Sequence, residues 1–187
     1  MEIGVMPAAL NPLHYGHIGV MRFSLYFLDE LHVYVGRRAK PDRLPRELRT
    51  RCLEETIYRE GLDRVRIMEA GRAVDLDGTL YQAFVGGSDL INTLSSEDKY
   101  VRERYTPYLT SFKRHICIQR DGRELKSRTR SCLGDVIVGG PLADVSSTAI
   151  RDMHKEKGLI EADMIPGYLH DIIGPYASIM WTQDRCA

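Results

Sequence analysis

The feature that most constrains the fold is the junction between a short strand and a helix near the start of the chain. Residues Ile3 to Met6 form an apolar run of the length of one buried strand. A turn follows, marked by Pro7, Asn11 and Pro12, and we expect Pro7 to end the strand because proline cannot continue a ladder. From Tyr15 the apolar residues recur with helical period. The sequence therefore predicts a strand, a tight loop and a helix in that order.

Two histidines, His14 and His17, stand where this helix is predicted to begin. A helix start presents unpaired backbone N–H groups and a partial positive charge, so it binds phosphate well. Residues three apart lie on one side of a helical turn, so both imidazoles can donate to one anion. A nearby polyphosphate would favour the charged imidazolium. The alternative is an ordinary helix cap with one solvent-facing and one half-buried histidine.

Short apolar runs alternate with helical patterns along the rest of the chain. Further strands are predicted at 31–36, 64–68, 81–86, 115–119 and 135–138. Helices are predicted at 45–60, 90–94, about 148–157 and from 166 to about 174; residues 99–108 fit a helix or irregular structure. Residues 120–133 are predicted to be a polar, basic loop and the most mobile segment. The alternation predicts an α/β fold with three layers, a Rossmann-like doubly wound parallel sheet of about five to six strands.

Ligands of such sheets bind beyond the carboxyl ends of the strands, where the strand order reverses. The turn before His14, the tripeptide Gly87-Ser88-Asp89 and the helix start at Ser146 all follow predicted strands. We therefore expect these three segments to share one edge of the sheet. The 187 residues fit a single domain over 1–187, with a C-terminal helical segment at about 147–176.

Composition and charge indicate which kinds of molecule the protein binds. The chain has 26 basic and 26 acidic residues, whereas a general nucleic-acid binder would carry a basic excess. Its basic residues concentrate at 37–51 and 113–130, which fits a phosphorylated small molecule better. No apolar run reaches membrane-spanning length, and the four cysteines lack C-x-x-C spacing. We expect a cytoplasmic protein that binds small molecules and neither nucleic acid nor membrane; whether it forms a homo-oligomer stays open.

Three separated stretches resemble the nucleotidyltransferase superfamily. Leu10 to His17 (LNPLHYGH) is similar to its Phe-Asp/Asn-Pro-x-His-x-Gly-His signature, and Val145 to Arg151 (VSSTAIR) to its Ile-Ser-Ser-Thr-x-Ile-Arg signature. Gly87-Ser88-Asp89 resembles the Gly-Ala-Asp of the nicotinate and nicotinamide mononucleotide adenylyltransferases. The segment from Pro166 to Tyr176 is similar to the C-terminal helix of the same branch. The resemblance therefore covers most of the chain.

The resemblance implies transfer of the AMP moiety of ATP to nicotinate or nicotinamide mononucleotide, which forms the dinucleotide of NAD biosynthesis and releases pyrophosphate. Such chemistry depends on positioning and charge stabilisation. His14 and His17 would stabilise the charge at the α-phosphorus, Arg151 would act as a charged clamp, and the helix start at Ser146 would bind the β- and γ-phosphates. The implied ATP-binding residues are Ala8, Ala9, Leu10, Asn11, His14, His17, Ser146, Ser147, Thr148 and Arg151. A Mg²⁺ ion would bridge phosphate oxygens, and no residues are spaced as a dedicated metal site.

Candidate ligands of the acceptor mononucleotide occur in the sequence both before and after the predicted fourth strand. Asp89 would accept hydrogen bonds from a sugar or from the second substrate; the alternative is a surface turn aspartate. Arg120 stands in an Arg-x-Gly that resembles the one after the fifth strand of this branch. The full set is Arg38, Lys40, Arg49, Gly87, Asp89 and Arg120. Spacing alone does not select among the clustered basic residues.

The sequence departs from the family at several places, including the reduction of its Thr-x-Asp-Thr-Leu to Thr79-Leu80, which leaves other hypotheses open. The family usually has Gly-Gly-Thr or Gly-Gly-Ser where this chain has Pro7-Ala8-Ala9, and Pro7 fixes φ and lacks an N–H. The branch's aromatic signature after Gly-Ala-Asp, ending in tryptophan, is absent. One alternative keeps the chemistry with another acceptor, as a phosphopantetheine adenylyltransferase or a cytidylyltransferase. Another alternative is a nucleotide-binding regulatory protein that has lost catalysis.

Overall fold

The computed structural model describes residues 1–36, 42–68, 80–119, 124–140 and 145–181. The strands are β1 (Ile3–Ala8), β2 (Glu30–Val35), β3 (Val65–Met68), β4 (Ala83–Gly87), β5 (Arg114–Ile118) and β6 (Asp135–Gly139). The α-helices are α1 (Tyr15–Ser24), α2 (Arg46–Arg59), α3 (Ser88–Ile91), α4 (Lys99–Leu109), α5 (Ser127–Arg130), α6 (Ser147–Lys157) and α7 (Gly167–Met180). A 3₁₀ helix (Asn92–Ser95) follows α3. Within these ranges, every helix is too short or too polar to cross a membrane.

The six strands form one parallel sheet in the order β3-β2-β1-β4-β5-β6. The order runs outward from β1 to β3 on one side and from β4 to β6 on the other, so it reverses between β1 and β4. This is the doubly wound α/β arrangement predicted from the sequence, which is therefore confirmed. All strand ends that bear the predicted motifs point to the same edge because the strands are parallel.

Alternation along the strands sends side chains into two apolar layers. Met6, Val85 and Ile116 pack on one face against the helices α1, α2, α6 and α7. Their neighbours Val5 and Phe84 pack on the other face with the residues of α3, the 3₁₀ helix and α4. The sheet is therefore covered on both faces, as its nearly continuous apolar strands require.

The prediction that Pro7 ends the first strand is wrong, because β1 continues to Ala8. The backbone bonds explain this. Gly36 N donates to Ala8 O on the β2 side of the strand, and Gln82 N donates to Ile3 O on the β4 side. Bonding groups alternate between the two neighbours along a strand, so the N–H missing from Pro7 belongs to the β4 side. The β1–β4 register extends only over Gly4 and Val5, so the proline costs the ladder no bond.

The prediction that the last helix stops near Pro175 is also wrong, because α7 runs on to Met180. Leu169, Ile173 and Ala177 are completely buried and recur every four residues along one side of this helix. Proline removes one helical hydrogen bond, but the packing of this side against the core offsets that loss. In α4, likewise, the helix passes through Pro107, and α5 lies within the segment predicted to be a loop.

Candidate functional site

A cleft of about 220 Å³ opens at the carboxyl edge of the sheet between β1 and β4. This is the position at which the strand order reverses, where doubly wound sheets bind their ligands. The end of β1, the start of α1 and the start of α3 form its walls. Among its lining residues are Pro7, Ala8, Ala9, His17, Gly87 and Asp89. The structure therefore brings the predicted segments after β1 and β4 to one cleft.

His14 is the N-cap of α1. Its Nδ1 accepts a hydrogen bond from Gly16 N at 3.1 Å, and the residue is 1% exposed. Because Nδ1 accepts, this geometry places the imidazole proton on Nε2. A Cβ at Gly16 would lie 2.9 Å from the His14 ring, so the glycine allows the ring to sit over the helix start. The hydrogen bond from Gly16 N and the close approach of Gly16 therefore fix the orientation of the His14 ring.

His17 lies one turn further along α1 and lines the cleft. It is half-buried, and its ring centroid is 3.9 Å from that of His14. The two imidazoles are therefore in contact, as their spacing predicted. They differ in exposure, because the His14 ring is buried against Gly16 whereas His17 borders the cleft.

The start of α6 docks on the loop between β1 and α1. Ser147 Oγ donates to Pro12 O at 2.9 Å, and Arg151 Nη1 donates to Asn11 O at 2.7 Å. Ser146 is the N-cap of α6, with its Oγ accepting from Ala149 N at 3.0 Å. These contacts join two motif stretches that are 135 positions apart in the chain. Ser147 therefore commits its hydroxyl to the protein, which leaves its amide at the helix start.

Leu10 has φ 50, in the left-handed region that leucine rarely adopts. Its side chain is 1% exposed, so core packing holds this strained turn. The next residue, Asn11, donates from Nδ2 to Asp42 O at 3.0 Å and accepts from Leu44 N at 2.8 Å. The family resemblance leads one to expect glycine near this turn, whereas here the positive φ falls on Leu10.

Arg49 braces the loops around the site from inside the protein. Its Nε, Nη1 and Nη2 donate to Leu44 O, Ala9 O and Gly36 O, at distances of 2.8, 2.6 and 2.9 Å. The residue is 2% exposed, and burial together with the neighbouring arginines lowers the pKa of Arg49 to about 10. Arg49 was predicted as a mononucleotide ligand; it is not among the residues that line the cleft, and each of its nitrogens donates to a backbone carbonyl.

The remaining acceptor-site candidates fall into two groups. Gly87 is the N-cap of α3, and Asp89 is exposed in its first turn beside the cleft. Arg38, Lys40 and Arg120 lie outside the described residues. For Mg²⁺, no group of three or more histidine, cysteine or acidic residues within the described ranges is arranged to hold a metal ion.

Sequence analysis missed Asp42 and Trp181. The Asp42 carboxylate lies 3.3 Å from Arg151 Nε, and its backbone oxygen accepts from Trp181 Nε1 at 3.0 Å. Trp181 stands at the end of α7 and is 1% exposed. Neither residue belongs to a motif, and the only available signal was that Trp181 is the one tryptophan of the chain.

Comparison with solved structures identifies the fold. The chain is similar to the Plasmodium falciparum nicotinic acid mononucleotide adenylyltransferase complexed with APC, with a TM-score of 0.72 and 18% identity over 94% of this chain and 95% of that one. The same enzyme complexed with NaAD gives a TM-score of 0.71 and 17% identity with equal coverage. No protein-family model and no curated protein sequence matches the chain. The likeness therefore establishes a shared fold over nearly the whole length of both chains.

Proposed function

We propose that this protein is an adenylyltransferase that transfers AMP from ATP to nicotinate or nicotinamide mononucleotide. The observation that supports this most is the docking of α6 on the β1–α1 loop. Arg151 bonds Asn11 O and Ser147 bonds Pro12 O there, beside the cleft that His17 lines. An imidazole pair, a helix start and a guanidinium are thereby assembled at the edge where such sheets bind nucleotides. The shared fold with an enzyme named for this reaction points the same way.

In this proposal the triphosphate of ATP extends from α1 towards the start of α6. The α-phosphate lies against His17, which lines the cleft, and His14, whose ring contacts that of His17, is the second proposed donor. The β- and γ-phosphates lie at the backbone amides of Ser147 and Thr148, whose helix start favours an anion. Ala8 to Asn11 border the nucleotide through the backbone, and Arg49 holds that loop in place. Arg49 is thus a positioning residue here and does not contact the substrate.

The reaction itself is an in-line displacement. A phosphate oxygen of the mononucleotide attacks the α-phosphorus and forms the new P–O bond. The bond from the α-phosphorus to the α,β-bridging oxygen breaks, and the electron pair leaves with pyrophosphate. The protein contributes orientation and hydrogen bonds to the charge that develops on the α-phosphoryl oxygens. Mg²⁺ enters with ATP as part of the substrate and neutralises phosphate charge.

Pro7 is compatible with this function. Proline here would weaken ATP binding if this position needed a backbone N–H or a positive φ. In the structure Pro7 lies in extended β1, and the positive φ falls three residues later at Leu10. The missing N–H belongs to the side on which β1 and β4 have already separated to form the cleft. The strand therefore reaches the nucleotide edge without the backbone freedom of glycine.

The acceptor would bind on the β4 side of the cleft. Gly87 and Asp89 line this side, and in the proposal Asp89 accepts hydrogen bonds from the mononucleotide sugar. Arg38, Lys40 and Arg120 remain the proposed ligands of its phosphate.

The test is a pyrophosphate-release assay with purified protein, Mg²⁺, ATP and each mononucleotide in turn. We expect release that depends on one mononucleotide, with the matching dinucleotide as the second product. A panel with phosphopantetheine, and with CTP and alcohol phosphates, distinguishes the alternative acceptors. ATP binding by calorimetry without pyrophosphate from any acceptor would replace this proposal with the regulatory hypothesis.

A further inference from the structure

Asp42 connects both motif stretches to the end of the last helix. Its backbone oxygen accepts from Asn11 Nδ2 and from Trp181 Nε1, each at 3.0 Å. Its carboxylate lies 3.3 Å from Arg151 Nε. One residue thereby contacts the β1–α1 loop, α6 and the end of α7. No motif in the sequence includes it.

The backbone and the side chain of Asp42 have separate effects. The backbone oxygen fixes position, because Trp181 is buried and packs edge-on against His154 of α6 with ring centroids 5.4 Å apart. The carboxylate adds only charge beside Arg151. The side chains of Asp42 and Arg151 are 39% and 16% exposed, so solvent screens this pair only in part.

In the proposed function, Arg151 is the cation that binds the triphosphate. In the structure its Nη1 is held by Asn11 O and Ser147 O, and its Nε faces the Asp42 carboxylate. A carboxylate at this distance offsets part of the positive charge that would attract a phosphate. It would also repel a triphosphate lying against the same guanidinium.

We infer that Asp42 limits the affinity of the site for triphosphate by competing with it for Arg151. This inference rests on the proposed function, since it concerns the same anion. The competition applies equally to pyrophosphate, which leaves from the same place. Asp42 therefore weakens ATP binding and favours release of the product, a step that sets turnover in many enzymes. Its role is to tune affinity, with no part in the bond-breaking step.

The test is calorimetry of Mg-ATP and of tripolyphosphate binding to the wild-type protein and to Asp42→Asn. This change keeps the backbone oxygen and removes only the charge. We expect both ligands to bind about two- to tenfold more tightly, with an affinity that falls more steeply as salt increases. In the pyrophosphate assay, KM for ATP should fall while kcat stays level or falls. Asp42→Ser keeps the same backbone oxygen and serves if Asp42→Asn does not fold.

Two control variants separate charge from position. Glu54→Gln removes the same charge from an exposed position on α2 and should leave both affinities unchanged. Trp181→Phe removes the bond to the Asp42 oxygen and keeps the carboxylate, so it should lower the melting temperature without tightening binding.

Three results would overturn the inference. The wild-type protein could bind ATP and release pyrophosphate while Asp42→Asn binds ATP equally well or more weakly. That result would contradict the inference and leave the proposed function intact. Trp181→Phe could bind ATP and tripolyphosphate as tightly as Asp42→Asn does. The gain in affinity would then come from a shift of the loop that holds Asp42, and the charge of its carboxylate would not be the cause. Failure of ATP and tripolyphosphate to bind either protein removes the inference together with the proposed function.

Discussion

The two helices that meet at the candidate site begin in different ways. His14 caps α1 with a ring nitrogen and is 1% exposed, whereas Ser146 caps α6 with a hydroxyl and is only partly buried. At α1 the capping side chain is also the proposed ligand, so one residue fixes the helix and the chemistry together. At α6 the cap and the proposed ligands, the amides after it, are separate groups. Mutations should therefore separate stability from binding at α6, whereas substitution of the capping His14 should affect both at α1.

The largest effect is expected from His17→Ala. His17 lines the cleft and caps nothing, so its loss should reduce stabilisation of the transition state with little effect on folding. We expect kcat to fall by about 10²–10³-fold, the cost of one lost donor in a preorganised site. The measurement is steady-state pyrophosphate release beside a thermal melt. His170→Ala, the same change on α7, is the control. Unchanged turnover in His17→Ala would place the chemistry elsewhere.

A second prediction tests how closely the ring of the capping His14 packs against Gly16. Gly16→Ala places a methyl group 2.9 Å from the His14 ring and 3.3 Å from Val145 O. The ring must move, so we expect a loss of about 1–3 kcal/mol in the free energy of unfolding and a large loss of turnover. This loss should appear although alanine is the better helix former.

The control for this variant is Gly167→Ala. Gly167 opens α7, and a Cβ there meets nothing within 4 Å. Urea denaturation should show Gly167→Ala at least as stable as the wild-type protein. If the two alanine variants were equally stable, His14 would not be fixed by the close approach of Gly16.

The difference between the two helix starts also shows what the sequence can predict. Hydrophobic periodicity predicted all six strands and their parallel arrangement, because the central strands β1, β4 and β5 are short runs of mostly buried apolar residues. Spacing predicted that His14 and His17 meet, because residues three apart share a helical face. It did not predict that His14 faces inward as the cap, since this depends on how the ring packs over Gly16.

The two wrong predictions of where an element ends have a common physical cause. Proline was expected to end β1 at Pro7 and α7 at Pro175, but local propensity was outweighed by tertiary contacts. Arg49 was grouped with the surface cations because burial of a guanidinium on three backbone carbonyls leaves no pattern in the sequence. Asp42 was missed for the same reason, since its partners come from three distant segments.

A third prediction separates the cap of α6 from its ligand site. Ser146→Ala removes the acceptor for Ala149 N and should cost about 0.5–2 kcal/mol of stability. Ser146→Asp is an equally good cap but adds negative charge where the triphosphate is proposed to lie. We expect it to keep the stability of the wild-type protein and to raise KM for ATP several-fold. Urea denaturation and ATP titration measure the two effects, and an unchanged KM in Ser146→Asp would argue against a phosphate at this helix start.

The smallest effect concerns a histidine outside both helix starts. His115 in β5 is 0% exposed, its Nε2 lies 2.8 Å from Leu109 O, and burial lowers the pKa of His115 below its ordinary value of 6.5. The unfolded chain therefore binds this proton more readily than the folded protein does. The neutral ring's contribution to stability is complete above about pH 6.5 and is lost as the pH falls towards the lowered folded-state pKa.

His115→Gln can keep a donor for Leu109 O but does not titrate, so its stability should change less between pH 7.5 and 5.5. We expect the difference between the two pH slopes to be about 1 kcal/mol or less, measured by urea denaturation at both pH values. Equal slopes would mean that His115 takes up a proton in the folded state. The core would then tolerate a charged imidazole, and burial alone would not distinguish a structural histidine such as His115 from the capping His14.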